Sequence, residues 1–143
     1  ELADSWCRVP ALASGEWISA AAYAAALAGR DGAVRVRDML TPVEHHTPWT
    51  RAALRTVDAA LADADQDHAG AGRLHVEAAR IYARIPDQTD RIIALALAAS
   101  AQQRAADWGA AEAILNEVRK FALCNRAPGL LRLAGEHGHR LAV

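Results

Sequence analysis

The chain is short of the residues that usually announce a mechanism: two cysteines, one methionine, one phenylalanine and 5% aromatics in 143 residues. Cys7 and Cys124 match neither C-x-x-C nor any zinc-ligand spacing, which leaves no metal finger and no disulfide framework. A reducing, cytoplasmic setting is the expectation. Serine is scarce and never falls in G-x-S-x-G, and Cys124 has no histidine close to it in sequence, so nucleophilic catalysis finds no motif. No apolar run reaches the roughly 18 to 20 residues of a membrane span, and the opening ELADSWCRVP lacks the basic head and apolar stretch of a signal peptide. An excess of one charge is missing as well. Sixteen basic and 17 acidic residues give a net charge of −1, without the basic surplus that holds a phosphate backbone. Neither nucleic acid nor membrane is therefore an expected partner.

What the chain does have is alanine, which dominates a hydrophobic content of 52%. Small side chains let helices approach closely. The length fits one domain able to bury a core without staples, an all-α unit of roughly six helices. Because the sequence starts at Glu1, a piece of a longer protein is expected. Residues 1–143 are read as a single helical domain, with N-terminal cap helices and a loop over 1–46 and a helical-repeat-like part over 47–143.

Two helical runs are expected before the Gly29 to Gly32 turn, the second starting near Ser14 with an apolar stripe of Trp17, Ala20, Ala21, Ala24, Leu27 and Ala28 that packs on the rest. AVRVR alternates at the strand period, and Pro42 and Pro48 interrupt any longer helix, so a short helix or extended piece and then a loop are expected. Thr47-Pro48 is a start signal, threonine capping and proline at the first helical position. The helix that follows runs to about Ala64 and buries Trp49, Ala52, Ala53, Leu54, Val57, Ala60 and Leu61. DADQDHAGAG is a polar break lacking the glycine and glutamate positions of a calcium loop. Helices are then expected in RLHVEAARIYARI and DQTDRIIALALAASAQQRA.

The helices either side of Asp107-Trp108-Gly109 resemble one tetratricopeptide unit, with Ile92, Leu95, Ala98 and Ala99 at packing positions of the first helix and Ala111, Leu115 and Val118 at those of the second. PGLLRLAGEHGHRLA resembles a following first helix with Leu131, Ala134 and Gly135 in the same roles, at an offset of 36 residues rather than the family's 34. The resemblance implies antiparallel helix pairs in a tetratricopeptide-like superhelical array, with Trp108 packed as an aromatic anchor between the two helices. The order VRVRD, LHVEAARIYARIP, LALAASAQQRAADWGAAEAIL also resembles the C-terminal part of an uncharacterised actinobacterial protein family, in which a V-R-D segment precedes such helices. That resemblance implies a fold and no active site.

On the tetratricopeptide register, the first helices expose Ser100, Gln103 and Arg104, then Glu136, His139 and Arg140, as a groove for an extended peptide. Arg104 or Arg140 would take a carboxylate, which makes an acidic or carboxylate-ended protein or peptide the expected partner. Among the histidines, His45-His46 beside Glu44 is a loop pair, His137 and His139 fall on different helix faces, and His75 reads as a partly packed interfacial ring. No catalytic residue, cofactor or metal is assigned. The leading function is a protein- or peptide-binding scaffold module of a larger bacterial protein. The alternatives are a ligand-sensing or dimerisation domain of a transcriptional regulator and a metal-binding enzyme domain whose histidines converge in space. Oligomerisation stays open.

Overall fold

Helix ends in this chain are written by proline, aspartate and residues that accept a left-handed backbone. A computed structural model describes residues 15–43, 47–85 and 88–135. Among them are seven helices and no strand: α1 (Gly15–Leu27), α2 (Arg30–Leu40), α3 (Pro48–Ala64), α4 (His68–Tyr82), α5 (Gln88–Arg104), α6 (Trp108–Cys124) and the short α7 (Gly129–Leu133). The expected cap Ser14, the helical run before it and the triplet Glu44-His45-His46 lie outside the described residues.

The start signal at Thr47-Pro48 is used as read, since the Thr47 hydroxyl accepts the Thr50 N–H at 3.2 Å and Pro48 opens α3. Aspartates begin the next helices of the same kind. Asp67 accepts the Gly70 N–H at 2.8 Å ahead of α4, and Asp107 accepts the Ala110 N–H at 3.1 Å ahead of α6. The preceding helices close with one shared device. Gln66, Ala106 and Arg126 take positive φ, and the next N–H reaches back to a carbonyl: Asp67 to Ala62 (2.9 Å), Asp107 to Gln102 (3.0 Å) and Ala127 to Ala122 (2.9 Å). This is the two-bond C-terminal turn that satisfies the last carbonyls of a helix.

These turns expose a repeat that the residue types hide. α3 begins at residue 48 and α5 at 88, while α4 begins at 68 and α6 at 108, so one offset of 40 residues carries the first helix pair onto the second. Each helix packs on its neighbours in sequence, and α1 also packs on α3 and α5 on α7. The architecture is an all-α array of adjacent pairs, with the odd-numbered helices along one side. Alanines fill the contacts: Ala52, Ala53, Ala78, Ala96 and Ala99 are fully buried around Ile92, Leu95 and Val118. The larger Tyr82 is fully buried too, donating from its hydroxyl to Ser19 Oγ at 2.9 Å, and Tyr23 donates to the Asp90 carbonyl at 2.9 Å. These bonds stitch α1 to the end of α4 and the start of α5.

The expected packing positions Ile92, Leu95, Ala98, Ala99, Ala111, Leu115, Val118, Leu131 and Ala134 are buried. Four expectations change. Trp108 is 66% exposed rather than an anchor. It continues the stripe of Ala111, Leu115 and Val118, but at the outermost turn of α6, where α5 has already ended at Arg104 and only the connecting turn faces it. On α1 the inward residues are Ser19, Ala22 and Ala25 with Ile18 beside them, while Trp17 and Leu27 of the expected stripe are 61% and 75% exposed. Alanine on nearly every side of α1 leaves its periodicity flat, so the Ser19 to Tyr82 bond and the fit to α3 choose the face. VRVR is helical, because Ala33, Val36 and Leu40 recur at three and four residues and pack on α3, overriding the alternation. AGAG is no break but lies within α4, where Gly70 and Gly72 are buried and a Cβ on Gly72 would stand 2.7 Å from Gln102 Nε2.

Candidate functional site

The odd-numbered helices line a cleft of about 340 Å³, closed at its base by one residue of α4. α1 supplies Ala26 and Leu27, α3 supplies Ala60, Asp63 and Ala64, α5 supplies Leu97, Ser100 and Arg104, and α7 supplies Leu133. The residue from α4 is His75. Aliphatic carbons make most of the wall, and the polar groups sit close together on the α3, α4 and α5 side.

Asp63 organises that side. Arg104 grips its carboxylate with Nη2 at 3.0 Å from both oxygens and Nε at 3.3 Å from one, and Arg104 Nη1 donates to Ser100 Oγ at 2.8 Å. His68 Nδ1 lies 2.7 Å from Asp63 Oδ1, and since an ionised carboxylate only accepts, that nitrogen carries the proton. Burial by itself would raise the Asp63 pKa. The hydrogen bonds from His68 and Arg104, and their charges, outweigh it and hold the carboxyl below its ordinary value. The guanidinium is therefore already matched to a carboxylate of its own chain, in the two-oxygen geometry that arginine favours.

His75 is the exception in the array. It is 6% exposed, and its Nδ1 is enclosed with no hydrogen-bond partner. Burial pushes the imidazole from 6.5 down to about 4, with Asp63 opposing the shift and Arg104 adding to it, so the ring is neutral near pH 7. One repeat later, at the offset of 40 residues, the corresponding position is Leu115, a buried core leucine. A polar ring with an unsatisfied nitrogen thus occupies a place that the fold fills elsewhere with hydrocarbon, at a cost of about 1 to 3 kcal/mol for the unmet group.

Of the groove residues expected from the sequence, Ser100 and Arg104 line this cleft. Gln103 instead donates from Nε2 to the Ala134 carbonyl at 3.1 Å, tying α5 to the residue after α7. Glu136, His139 and Arg140 lie outside the described residues, as do His45, His46 and His137. Among the described residues no three histidine, cysteine or acidic side chains gather as a metal cluster. No described helix is long and apolar enough to cross a membrane. Asp38, read as an ion-pair anchor, is exposed, and its neighbour Arg37 makes the link, with Nε 3.3 Å from Asp58 of α3. The sequence reading missed Asp63, and it took His75 for ordinary packing. Aligning the chain with itself at 40 residues would have set His75 against Leu115 and marked it.

A second surface lies on the far side of α1. The residues of its misread stripe, Trp17, Ala20, Ala21, Ala24 and Ala28, join Val36 and Met39 of α2 in an apolar groove of about 420 Å³.

Comparison with protein-family models, with curated proteins and with solved structures gives no match to this chain.

Proposed function

We propose that the chain is a protein- or peptide-binding helical scaffold module that receives an extended segment on the side formed by the odd-numbered helices. The observation that carries this reading is the cleft itself, which draws its walls from four successive first helices of the array and gathers Ser100, Arg104, Asp63 and His75 at its base. Paired helices that stack in one direction present a continuous inner surface, and such surfaces serve as binding faces in repeat proteins. The likeness to tetratricopeptide units, here with a 40-residue repeat, belongs to the same reading. So does the placement of the domain in a larger bacterial protein of the cytoplasm.

The test is selection of peptides from a displayed random library on the wild-type domain, followed by rebinding to an Ala64→Arg variant. Ala64 is exposed and lines the cleft at the last turn of α3, so a long side chain there narrows the opening without entering the core. Selected peptides should lose binding to the variant while its melting temperature holds. Undiminished binding to Ala64→Arg would place the peptide site elsewhere.

A further inference from the structure

His75 sets the chemistry of what the cleft can take. Were the ring proton on Nδ1, a buried donor would face no acceptor, because that nitrogen is enclosed and unpartnered. The proton therefore belongs on Nε2, the nitrogen through which the ring meets the cleft, and the ring offers a donor. Its occupant must bring an acceptor. Charge narrows the class further. The carboxylate of Asp63 and the guanidinium of Arg104 cancel, with every short contact directed at each other, at His68 or at Ser100. An incoming carboxylate or ammonium would lose its hydration without finding a free counterion. The walls are aliphatic, from Leu27 on α1, Leu97 on α5 and Leu133 on α7, and about 340 Å³ suits one large side chain with the main chain beside it.

We propose that the cleft is a subsite for one uncharged aliphatic residue of an extended peptide, its side chain against Leu27, Leu97 and Leu133 and its main-chain carbonyl accepting a hydrogen bond from His75 Nε2. This rests on the peptide-binding reading above and replaces the acidic segment expected from the sequence, since Arg104 already holds Asp63. It also accounts for a histidine where the repeat otherwise keeps leucine, because a local departure from core composition is the pattern of a binding position.

Three probes test it by titration into the isotope-labelled chain, watched at the leucine methyls and at the His75 ring nitrogens by NMR. They are N-acetyl-leucine N-methylamide, which is uncharged, N-acetyl-leucine, which carries a carboxylate, and leucine N-methylamide, which carries an ammonium. The uncharged probe should shift Leu97, Leu133 and His75 Nε2 saturably and bind tighter than either charged one. His75→Leu should weaken it about fivefold, the effect of one neutral hydrogen bond, whereas His75→Gln, whose amide nitrogen donates from a similar place, should keep most of the affinity. Equal binding of charged and uncharged probes at the cleft, or no loss in a folded His75→Leu variant, would overturn the assignment while leaving the cleft a binding site. No saturable shift at the cleft with any probe would overturn the broader reading together with it.

Discussion

Acid should destabilise this domain through His75 before its carboxylates begin to titrate. The folded ring has its pKa pushed from 6.5 to about 4 by burial. Between those values the unfolded chain binds the proton and the native state does not, so stability rises with pH across the window and falls as the pH is lowered through it. Each unit of pKa difference corresponds to about 1.4 kcal/mol, which gives a loss of about 2 kcal/mol between pH 7 and pH 5 and about 3 kcal/mol by pH 4. At roughly 2 to 4 °C per kcal/mol for a domain of this size, the melting temperature should drop roughly 4 to 8 °C at pH 5. Asp63 acts elsewhere on the scale. Its folded pKa lies below the ordinary 3.8, so its contribution is present above that value and is lost only as the pH falls through the depressed one. Urea unfolding followed by circular dichroism, on wild type and on His75→Leu at matched pH, isolates the effect because every other titrating group is shared. The variant should lose about 2 kcal/mol less than wild type between pH 7 and pH 5. Equal losses in the two proteins would refute the claim that His75 is held neutral by burial.

Two further substitutions probe the packing. Trp108→Ala should shift the melting temperature little, because the ring is 66% exposed, whereas a buried tryptophan at that turn would cost about 3 to 5 kcal/mol. A large drop in a thermal melt would restore the expected anchor. Gly72→Ala should destabilise by about 1 to 3 kcal/mol, since the added Cβ meets the buried Gln102 side chain at 2.7 Å. In a Gln102→Ala background the same change should become neutral or stabilising, because alanine is the better helix former by about 1 kcal/mol. A cost that persists in the double variant would show that the helices themselves, and not Gln102, forbid the methyl group.

Local signals were enough for the middle of the chain. Thr47-Pro48 announced α3 and the three- and four-residue spacing of Leu95, Ala98, Ala99, Ala111, Leu115 and Val118 gave the packed faces of α5 and α6, since caps and periodicity act within a few residues. The face of α1 was illegible for the opposite reason. Its alanines are apolar in all directions, and the choice is made by Tyr82, 63 residues from Ser19. VRVR misled because two-residue alternation was weighed before tertiary contacts with α3, and AGAG because glycine was read as a breaker rather than as room for Gln102. The cleft was half legible. Ser100 and Arg104 followed from the register, but Asp63 lies 41 residues from Arg104, and neither composition nor spacing pairs them. His75 had a signal in the 40-residue offset, one that residue identity alone conceals because the two helix pairs share so few side chains.

The central claim is that a partner segment lies along the odd-numbered helices. Hydrogen–deuterium exchange of the domain, free and saturated with a library-selected peptide, tests it most directly. Slowed exchange concentrated in the last turns of α1, α3 and α5 and in α7, around Leu27, Ala64, Arg104 and Leu133, is the predicted result. Protection concentrated instead in α2 and α6, with those turns unchanged, would contradict it.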